Sequence, residues 1–263
     1  MGMDVQHYNA RGKFLEFVLE GFNLWDWIAE HYDFSRAKKI LEVACATGDF
    51  WNHVNNRANT VEEIILTDHS ENMIAVAKNT LKDSPLLSKI QFEVMDAEAL
   101  KYPDQSFDVV FSHHLMVNQP KSVPQVLTEL TRVLRKDGWL GIATMNMRTV
   151  RELFSLANKI DSRFPAQSAM IKHFDENTVD MLLPKYFKRI HKYSYDAMMR
   201  IPSSEIIMDF MRSHPISLSL GLKEDFFNVF QKTVDSIIVQ KGSIETVFTP
   251  TLYICKSLGS SAN

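Results

Sequence analysis

The stretch Lys39-Ile-Leu-Glu-Val43, followed directly by Ala44-Cys-Ala-Thr-Gly-Asp49, is the most informative part of this chain. Its first half is a short apolar run and predicts a buried strand, and the small residues after it predict a tight turn. Small residues let a ligand approach the backbone, and a helix beginning there would favour an anion at its positive end. We therefore expect a strand, a ligand-binding turn and a helix in this order.

The same alternation of strands and helices continues to Thr144. Further predicted strands are Ile64–Thr67, Ile90–Val94, Phe107–Ser112 and Trp139–Thr144, with helices at 70–81 and 122–134. Ser70 and Ser122 are predicted N-caps, Gln125 would complete a capping box, and Gly138 would cap the end of the second helix. This order predicts a doubly wound parallel sheet, in which ligands bind outside the carboxyl ends of the strands.

Composition and charge exclude several classes of protein. The 263 residues are 45% hydrophobic and 23% charged, which is typical of a globular protein, and the net charge of −3 does not favour nucleic acid. No apolar run approaches the roughly 18 residues of a membrane span, and the polar N-terminus does not resemble a secretory signal. Cys45 and Cys255 are too few for a zinc site or a disulfide framework, so a cytoplasmic location is predicted. The histidines show no ligand spacing, so no metal is predicted.

Two aspartates follow successive predicted strands. Asp68 is placed to accept hydrogen bonds from a ribose diol, and Asp96 from an adenine amino group, with the Ala97 N–H facing a ring nitrogen. Because the turn contains no lysine or arginine, a nucleoside with a cationic group fits better than a dinucleotide. The alternatives are a solvated turn carboxylate for Asp68 and a helix or turn cap for Asp96.

Five motifs occur in a characteristic order along the chain. They are Ile40–Asp49, Asp68–Met73, Asp96–Glu98, Tyr102–Ser112 and Glu129–Gly138. As a series they resemble the motifs of class I S-adenosylmethionine-dependent methyltransferases, and most of all the small-molecule branch called type 11. The resemblance covers residues 38–145 and implies a Rossmann-like, seven-stranded, mostly parallel sheet. Its sixth and seventh strands would be Phe187–Arg200 and Ile244–Lys256, which would form an antiparallel edge.

The resemblance also implies a division of the chain. The expected parts are an N-terminal helical lid (1–37), a methyltransferase core (38–200) with a helical insertion (147–174), a helical cap insertion (201–242), a final strand (243–258) and a loose tail (259–263). The 13 methionines and 17 phenylalanines of the chain indicate adaptable apolar surface. We therefore expect the cap to select a lipophilic or aromatic small-molecule acceptor.

The cofactor implied by the resemblance is S-adenosylmethionine, with S-adenosylhomocysteine as the product. The residues implied around it are Glu42, Ala44, Cys45, Ala46, Thr47 and Gly48 at the methionine part, Asp68 at the ribose, His69, Met73, Asp96, Ala97 and Glu98 at the adenine, and Ser112 and His113 near the sulfonium. His113 and His114 are candidate general bases because histidine titrates near neutrality. Tyr8 of the lid is a candidate to close over the acceptor. The alternatives are a loop-orienting histidine, a surface Tyr8 and a Cys45 that belongs to the core.

The chain departs from the family at Ala44 and Ala46, where glycine is usual. If either residue has a positive φ, alanine costs about 1 kcal/mol or more there. This leaves open a binding or non-methylating protein on the same fold. A nicotinamide-dependent oxidoreductase would need G-x-G-x-x-G in place of A-C-A-T-G-D, and an RNA-modifying enzyme would need a basic face. The predicted function is small-molecule methylation without a membrane or nucleic-acid partner, and a homodimer is left open.

Overall fold

The computed structural model describes residues 5–19, 21–113, 122–146, 148–165 and 176–258. The strands are β1 Lys39–Val43, β2 Glu63–Asp68, β3 Ile90–Val94, β4 Phe107–His113, β5 Leu134–Met145, β6 Phe187–Ser194, β7 Ala197–Ile201, β8 Ile244–Phe248 and β9 Pro250–Leu258. The helices are α1 Val5–Leu15, α2 Leu24–His31, α3 Glu71–Thr80, α4 Val123–Val133, α5 Arg151–Ile160, α6 Glu176–Leu182, α7 Ser204–Ser213, α8 Pro215–Ser219 and α9 Glu224–Lys241.

The chain forms two compact units. One, the sheet unit, consists of Asn23–Thr144, Glu176–Tyr193 and Thr251–Asn263. The other, the helical unit, consists of Met1–Phe22, Met145–Asp175 and Ser194–Pro250. The predicted lid (1–37) thus divides at Phe22, with α1 in the helical unit and α2 in the sheet unit. The predicted tail (259–263) and most of the predicted insertion outside α5 lie outside the described residues.

The sheet unit contains seven strands in the order β3-β2-β1-β4-β5-β9-β6. All pairs from β3 to β5 are parallel, with Val43 beside Thr67, Asp68 beside Val94 and His113 beside Ala143. The chain proceeds outward from β1 to β2 and β3, then returns to β4 on the other side of β1. The carboxyl ends of β1 and β4 therefore flank the switch point, where open parallel sheets bind ligands. The predicted doubly wound, mostly parallel sheet with an antiparallel strand is confirmed.

The helix caps of the sheet unit match the sequence in part. The hydroxyls of Ser70 and Ser122 accept the backbone N–H groups of Met73 and Gln125, as predicted. The predicted capping box is wrong in its second half, because the Gln125 side chain donates to the Glu98 carbonyl. The Glu98 carboxylate accepts the free Ser122 N–H instead, at 3.1 Å, and this ties the start of α4 to the turn after β3.

The predicted role of Gly138 as a helix cap is also wrong. α4 ends at Val133, and Gly138 lies within β5 without a positive φ. A Cβ atom on Gly138 would collide with the Asp108 carbonyl oxygen, so the close approach of β4 to β5 explains the glycine.

Both strands predicted for the far edge are divided in two. Phe187–Arg200 becomes β6 and β7, and Ile244–Lys256 becomes β8 and β9. β7 and β8 pair with each other in a separate antiparallel sheet. The division occurs at Asp196 and Thr249, whose side chains are joined by a 3.0 Å hydrogen bond. A period-2 pattern shows that a residue is extended but not which sheet it joins, and for this reason the sequence did not reveal the break.

The helical unit has its own apolar core. α1 packs on α7, where the rings of Phe14 and Phe210 stack with centroids 4.0 Å apart. α5 and α7 both pack on α9, and Phe226 stacks on Phe230 within α9. Among the described residues, no helix has the length and hydropathy of a membrane span.

Candidate functional site

The carboxyl ends of β1, β2, β3 and β4 bring most of the predicted cofactor residues to one edge of the sheet unit. They comprise the turn 44–48 after β1, Asp68 and His69 at the end of β2, residues 96–98 after β3, and Ser112 and His113 at the end of β4. Their convergence follows from the parallel registers alone, since parallel strands end at the same edge. Tyr8 lies on α1 of the helical unit, and His114 lies outside the described residues.

The turn after β1 has three residues in the left-handed region. The φ angles are 58° at Ala44, 49° at Ala46 and 75° at Gly48. Glycine is favoured at position 48 for two reasons. Its φ is positive, and a Cβ atom would lie only 3.1 Å from the Leu81 side chain. For each alanine the left-handed conformation costs about 1–2 kcal/mol. The turn therefore keeps the backbone shape of a glycine-rich turn at an energetic cost.

Asp68 holds this strained turn in place. Its Oδ2 accepts the Ala46 N–H at 3.1 Å and its Oδ1 accepts the Ser70 N–H at 2.9 Å. The Cys45 N–H donates to the Thr67 carbonyl at 2.9 Å, so the end of β2 supports two successive turn residues. Each carboxylate oxygen keeps a second lone pair, which suits the hydroxyls of a ribose. The buried Asp68 is thus both an anchor for the turn and a potential ligand residue.

Replacing either alanine by glycine is expected to stabilise the protein. Ala46→Gly should raise the free energy of unfolding by about 1 kcal/mol, because glycine adopts a positive φ without strain. Ala75→Gly is the matched control, since Ala75 is an exposed residue in the interior of α3 and glycine costs about 1 kcal/mol there. Urea unfolding of the two variants should give opposite signs. A destabilised Ala46→Gly would contradict the strain argument.

The α-helix predicted directly after the turn is wrong. The chain forms a four-residue 3₁₀ turn, Asp49–Asn52, in which Phe50 and Trp51 are buried. Asp49, at its start, accepts the Thr47 hydroxyl at 2.6 Å. With no α-helix starting at this point, the turn is not placed at the positive end of a helix dipole.

Glu42 is the centre of a buried hydrogen-bond network at the end of β1. Its Oε2 accepts the indole N–H of Trp51 at 2.6 Å, and its Oε1 lies 3.1 Å from Nδ1 of His113. Nε2 of His113 in turn lies 3.1 Å from the phenol oxygen of Tyr32. The side chains of Glu42 and His113 are each only 2% exposed. Four residues from separate elements thus form one continuous polar chain.

Aromatic rings surround the imidazole of His113. The ring centroids of Phe50, Phe111 and Trp25 lie 4.6, 4.9 and 5.6 Å from its own. Burial raises the pKa of the Tyr32 phenol well above its usual value, and Glu42 and then Cys255 raise it further. Tyr32 therefore remains a neutral hydroxyl at any physiological pH. Both ring nitrogens of His113 have protein partners. Neither is therefore free to take a proton from a substrate.

The end of β3 supports the turn-cap alternative for Asp96. The exposed Asp96 carboxylate accepts the Glu98 N–H at 2.9 Å, and Glu98 itself is engaged by Ser122 at the start of α4. These contacts fix the backbone of Ala97, which is partly exposed. An adenine contact at this turn stays a prediction.

The remaining predicted residues have structural contacts. The Ser112 hydroxyl donates to the Val43 carbonyl at 2.8 Å and joins β4 to β1. Met73 is buried in the core, whereas the His69 side chain is 53% exposed. Burial, followed by Glu42 and Asp68, raises the pKa of the Cys45 thiol well above its usual value. This thiol is therefore not a nucleophile, in agreement with a core role.

Comparison with known proteins places this geometry in a family. Residues 40–138 match a family model described as a methyltransferase domain. This segment is a methyltransferase domain. The predicted resemblance to the class I S-adenosylmethionine-dependent methyltransferases is thereby confirmed for this segment, and the cofactor that such a domain implies is S-adenosylmethionine. The narrower type 11 branch stays a prediction.

The similarity to curated relatives covers only part of the chain. Methyltransferase GfsG of Streptomyces halstedii is 31% identical over 130 residues, which cover 49% of this chain and 45% of the relative. The ubiquinone/menaquinone biosynthesis C-methyltransferase UbiE of Bordetella parapertussis is 38% identical over 105 residues, 39% of this chain and 38% of the relative. This chain thus spans less than half the length of either relative.

Similarity to solved structures extends beyond the methyltransferase domain. The YcgJ protein of Bacillus subtilis superposes with a TM-score of 0.59 at 15% identity, covering 90% of this chain and 97% of that protein. At this identity the superposition establishes the fold alone. Its coverage exceeds residues 40–138, which make up less than half of this chain.

Sequence reasoning missed Trp51 and Tyr32, which complete the Glu42 network. One signal was available, because a carboxylate inside a predicted buried strand needs donors, and the nearby Trp51 indole is a donor. Tyr32 gave no such signal. Gly141 gives the Tyr32 phenol its space, since a Cβ atom there would collide with the phenol oxygen.

Proposed function

We propose that this protein transfers the methyl group of S-adenosylmethionine to a small lipophilic or aromatic acceptor. The observation that carries the proposal is the pairing of Asp68 with the left-handed turn 44–48, beside the buried Glu42. These groups fit the cofactor chemically. One carboxylate suits the ribose hydroxyls, another suits an ammonium group, and the turn carries no cation that would repel the sulfonium.

The proposed roles of the residues follow from this fit. Asp68 binds the ribose, Glu42 and the backbone of the turn bind the methionine part, and Ala97 with its neighbours borders the adenine. When bound, the cofactor supplies a methyl group that is already activated for in-line displacement. The protein therefore contributes mainly alignment of the acceptor, which is worth several kcal/mol of the barrier.

A general base is required only if the substrate that accepts the methyl group must also lose a proton. His114, the residue that follows β4 in the sequence, is proposed for this role. His113 would first have to release Tyr32 from Nε2, so it is the weaker candidate in this arrangement.

The acceptors to test first are hydroxylated quinones in their reduced, phenolic form. The support is the printed function of UbiE from Bordetella parapertussis, a ubiquinone/menaquinone biosynthesis C-methyltransferase. Ring carbons of a phenol are nucleophilic, and the ring is both aromatic and lipophilic. The match with this relative covers only 39% of this chain, so the acceptor specificity is a separate question from the cofactor.

A second candidate is a protein that keeps the fold without methyl transfer. Ala44 and Ala46, both strained in the left-handed region, favour it, because their methyl groups narrow the approach to the turn. It predicts binding of the cofactor without turnover, or no binding at all.

Thermal unfolding with S-adenosylmethionine and with S-adenosylhomocysteine tests the proposal. A ligand at 100 times its Kd adds about 2.7 kcal/mol, which corresponds to a rise in Tm of about 5–10 °C for a protein of this size. NAD is the control ligand and should give no rise. No shift with either adenosyl compound at millimolar concentration would overturn the proposal. After a positive result, methyl transfer from labelled cofactor to reduced quinones separates the two candidates.

A further inference from the structure

We infer that Tyr32 and His113 are positioning residues that orient Glu42 toward the ammonium group of the cofactor's methionine part. The inference rests on the proposed function and deepens it. Nothing in the sequence motifs assigns a role to Tyr32, which lies at the C-terminal end of α2, outside the matched domain.

The numbers of donors and acceptors determine the arrangement of protons in the network. A carboxylate only accepts and an indole only donates, whereas a neutral imidazole has one donor and one acceptor. Glu42 Oε1 needs a donor at 3.1 Å, so the proton of His113 lies on Nδ1. Nε2 then accepts the Tyr32 hydroxyl. In this arrangement every group has a partner of the right kind.

Other arrangements of protons leave a buried group unpaired. With the proton on Nε2, the Nδ1 lone pair would face the Glu42 carboxylate, which is repulsive. With protons on both nitrogens, the Tyr32 hydroxyl proton would have no acceptor, since the phenol oxygen has no other hydrogen-bond partner in the described part of the chain. An unpaired buried donor or acceptor costs about 1–3 kcal/mol. Glu42 therefore determines which nitrogen of His113 carries the proton, and Tyr32 supplies the hydrogen-bond donor that the other nitrogen needs.

The surroundings hold this arrangement rigid. Phe50, Phe111 and Trp25 enclose the imidazole, and the glycine at position 141 admits the Tyr32 phenol. Each oxygen of Glu42 uses one lone pair within the network and keeps one, which leaves capacity for an ammonium group. A carboxylate fixed at both oxygens binds such a group without paying for its own ordering.

Two ligands that differ in the amino-acid part give a specific test. S-adenosylhomocysteine carries the ammonium group, whereas 5′-methylthioadenosine keeps the adenine, the ribose and the sulfur without it. We expect Tyr32→Phe to weaken S-adenosylhomocysteine binding about tenfold in calorimetry, the usual effect of one lost hydrogen bond. Binding of 5′-methylthioadenosine should change by less than about twofold.

The control is Tyr102→Phe. It removes one phenol hydroxyl from the same unit, donated to the carboxylate of Glu93 at 2.9 Å, and should alter neither affinity. If Tyr32→Phe weakened the binding of both ligands equally, Tyr32 would have only a structural role. If it weakened the binding of neither ligand, Tyr32 would have no role in the site. Both results overturn the inference while leaving the proposed function intact. A wild-type protein that binds neither ligand overturns the proposed function, and the inference with it.

Variants of His113 decide the same question if Tyr32→Phe does not fold. Asparagine places an N–H donor close to the position of Nδ1, whereas leucine removes it. His113→Asn should bind S-adenosylhomocysteine about tenfold more tightly than His113→Leu, with equal affinities for 5′-methylthioadenosine. Equal affinities of the two variants for S-adenosylhomocysteine would overturn the inference.

Discussion

Asp68→Ala is expected to weaken S-adenosylhomocysteine binding by more than about 100-fold. The carboxylate offers two charge-assisted hydrogen bonds to the ribose, each worth about 1.5–3 kcal/mol. It also anchors the strained turn through the Ala46 N–H at 3.1 Å. The variant loses both the ligand contact and the support of the turn. Calorimetric titration with S-adenosylhomocysteine measures the effect.

The control for this variant is Asp83→Ala. Asp83 is exposed, beyond the end of α3, and its removal should leave the affinity unchanged. Asp68→Asn should fall between the two, since its amide oxygen accepts from one neighbouring donor while the charge is lost. If Asp68→Ala retained an affinity within threefold of the wild type, the ribose assignment would be wrong.

Acid is expected to destabilise the protein through His214, a fully buried residue of the helical unit. Burial, followed by the charge of Arg11, lowers the pKa of His214 from 6.5 to about 3. Its Nδ1 accepts the Ile216 N–H at the start of α8, and Nε2 has no hydrogen-bond partner among the described residues. Protonation would therefore place a charge among the rings of Phe154 and Phe210.

The direction of the pH effect follows from proton binding. Between pH 6.5 and about 3 the unfolded chain binds a proton at His214 that the folded chain does not bind. The free energy of unfolding thus falls as the pH decreases through this window, by about 1.4 kcal/mol per unit from this group. At pH 5 the loss relative to pH 7.5 is about 2 kcal/mol. Urea unfolding at the two pH values measures it.

His214→Asn isolates this contribution. Asparagine retains an acceptor for the cap of α8 but does not titrate, so the variant should lose about 2 kcal/mol less than the wild type between pH 7.5 and 5. His191→Asn replaces an exposed histidine of β6 and should keep the wild-type pH dependence. An unchanged pH dependence in His214→Asn would show that His214 is not the group responsible.

The part of the site built from local signals was predictable from sequence. Asp68 follows a strand and precedes the capped helix α3, so its place at the edge of the sheet required only the parallel order of the strands. The helix expected after the turn was not predictable in this way. In its place the chain forms a 3₁₀ turn, which follows three left-handed residues and buries Phe50 and Trp51. The burial of these two rings depends on distant parts of the chain.

The sequence by itself determined the resemblance of residues 38–145 to methyltransferases, the alternation of strands and helices, and the residues at the carboxyl ends of the strands. These follow from hydrophobic periods and from short motifs, which act over a few residues. Only the tertiary structure decided the φ angles of Ala44 and Ala46, the transfer of two strands to a second sheet, and the network that joins Glu42 to Tyr32. Each of these depends on contacts between residues far apart in sequence. The packing of the whole unit determines which distant side chains meet, and no local pattern contains that information.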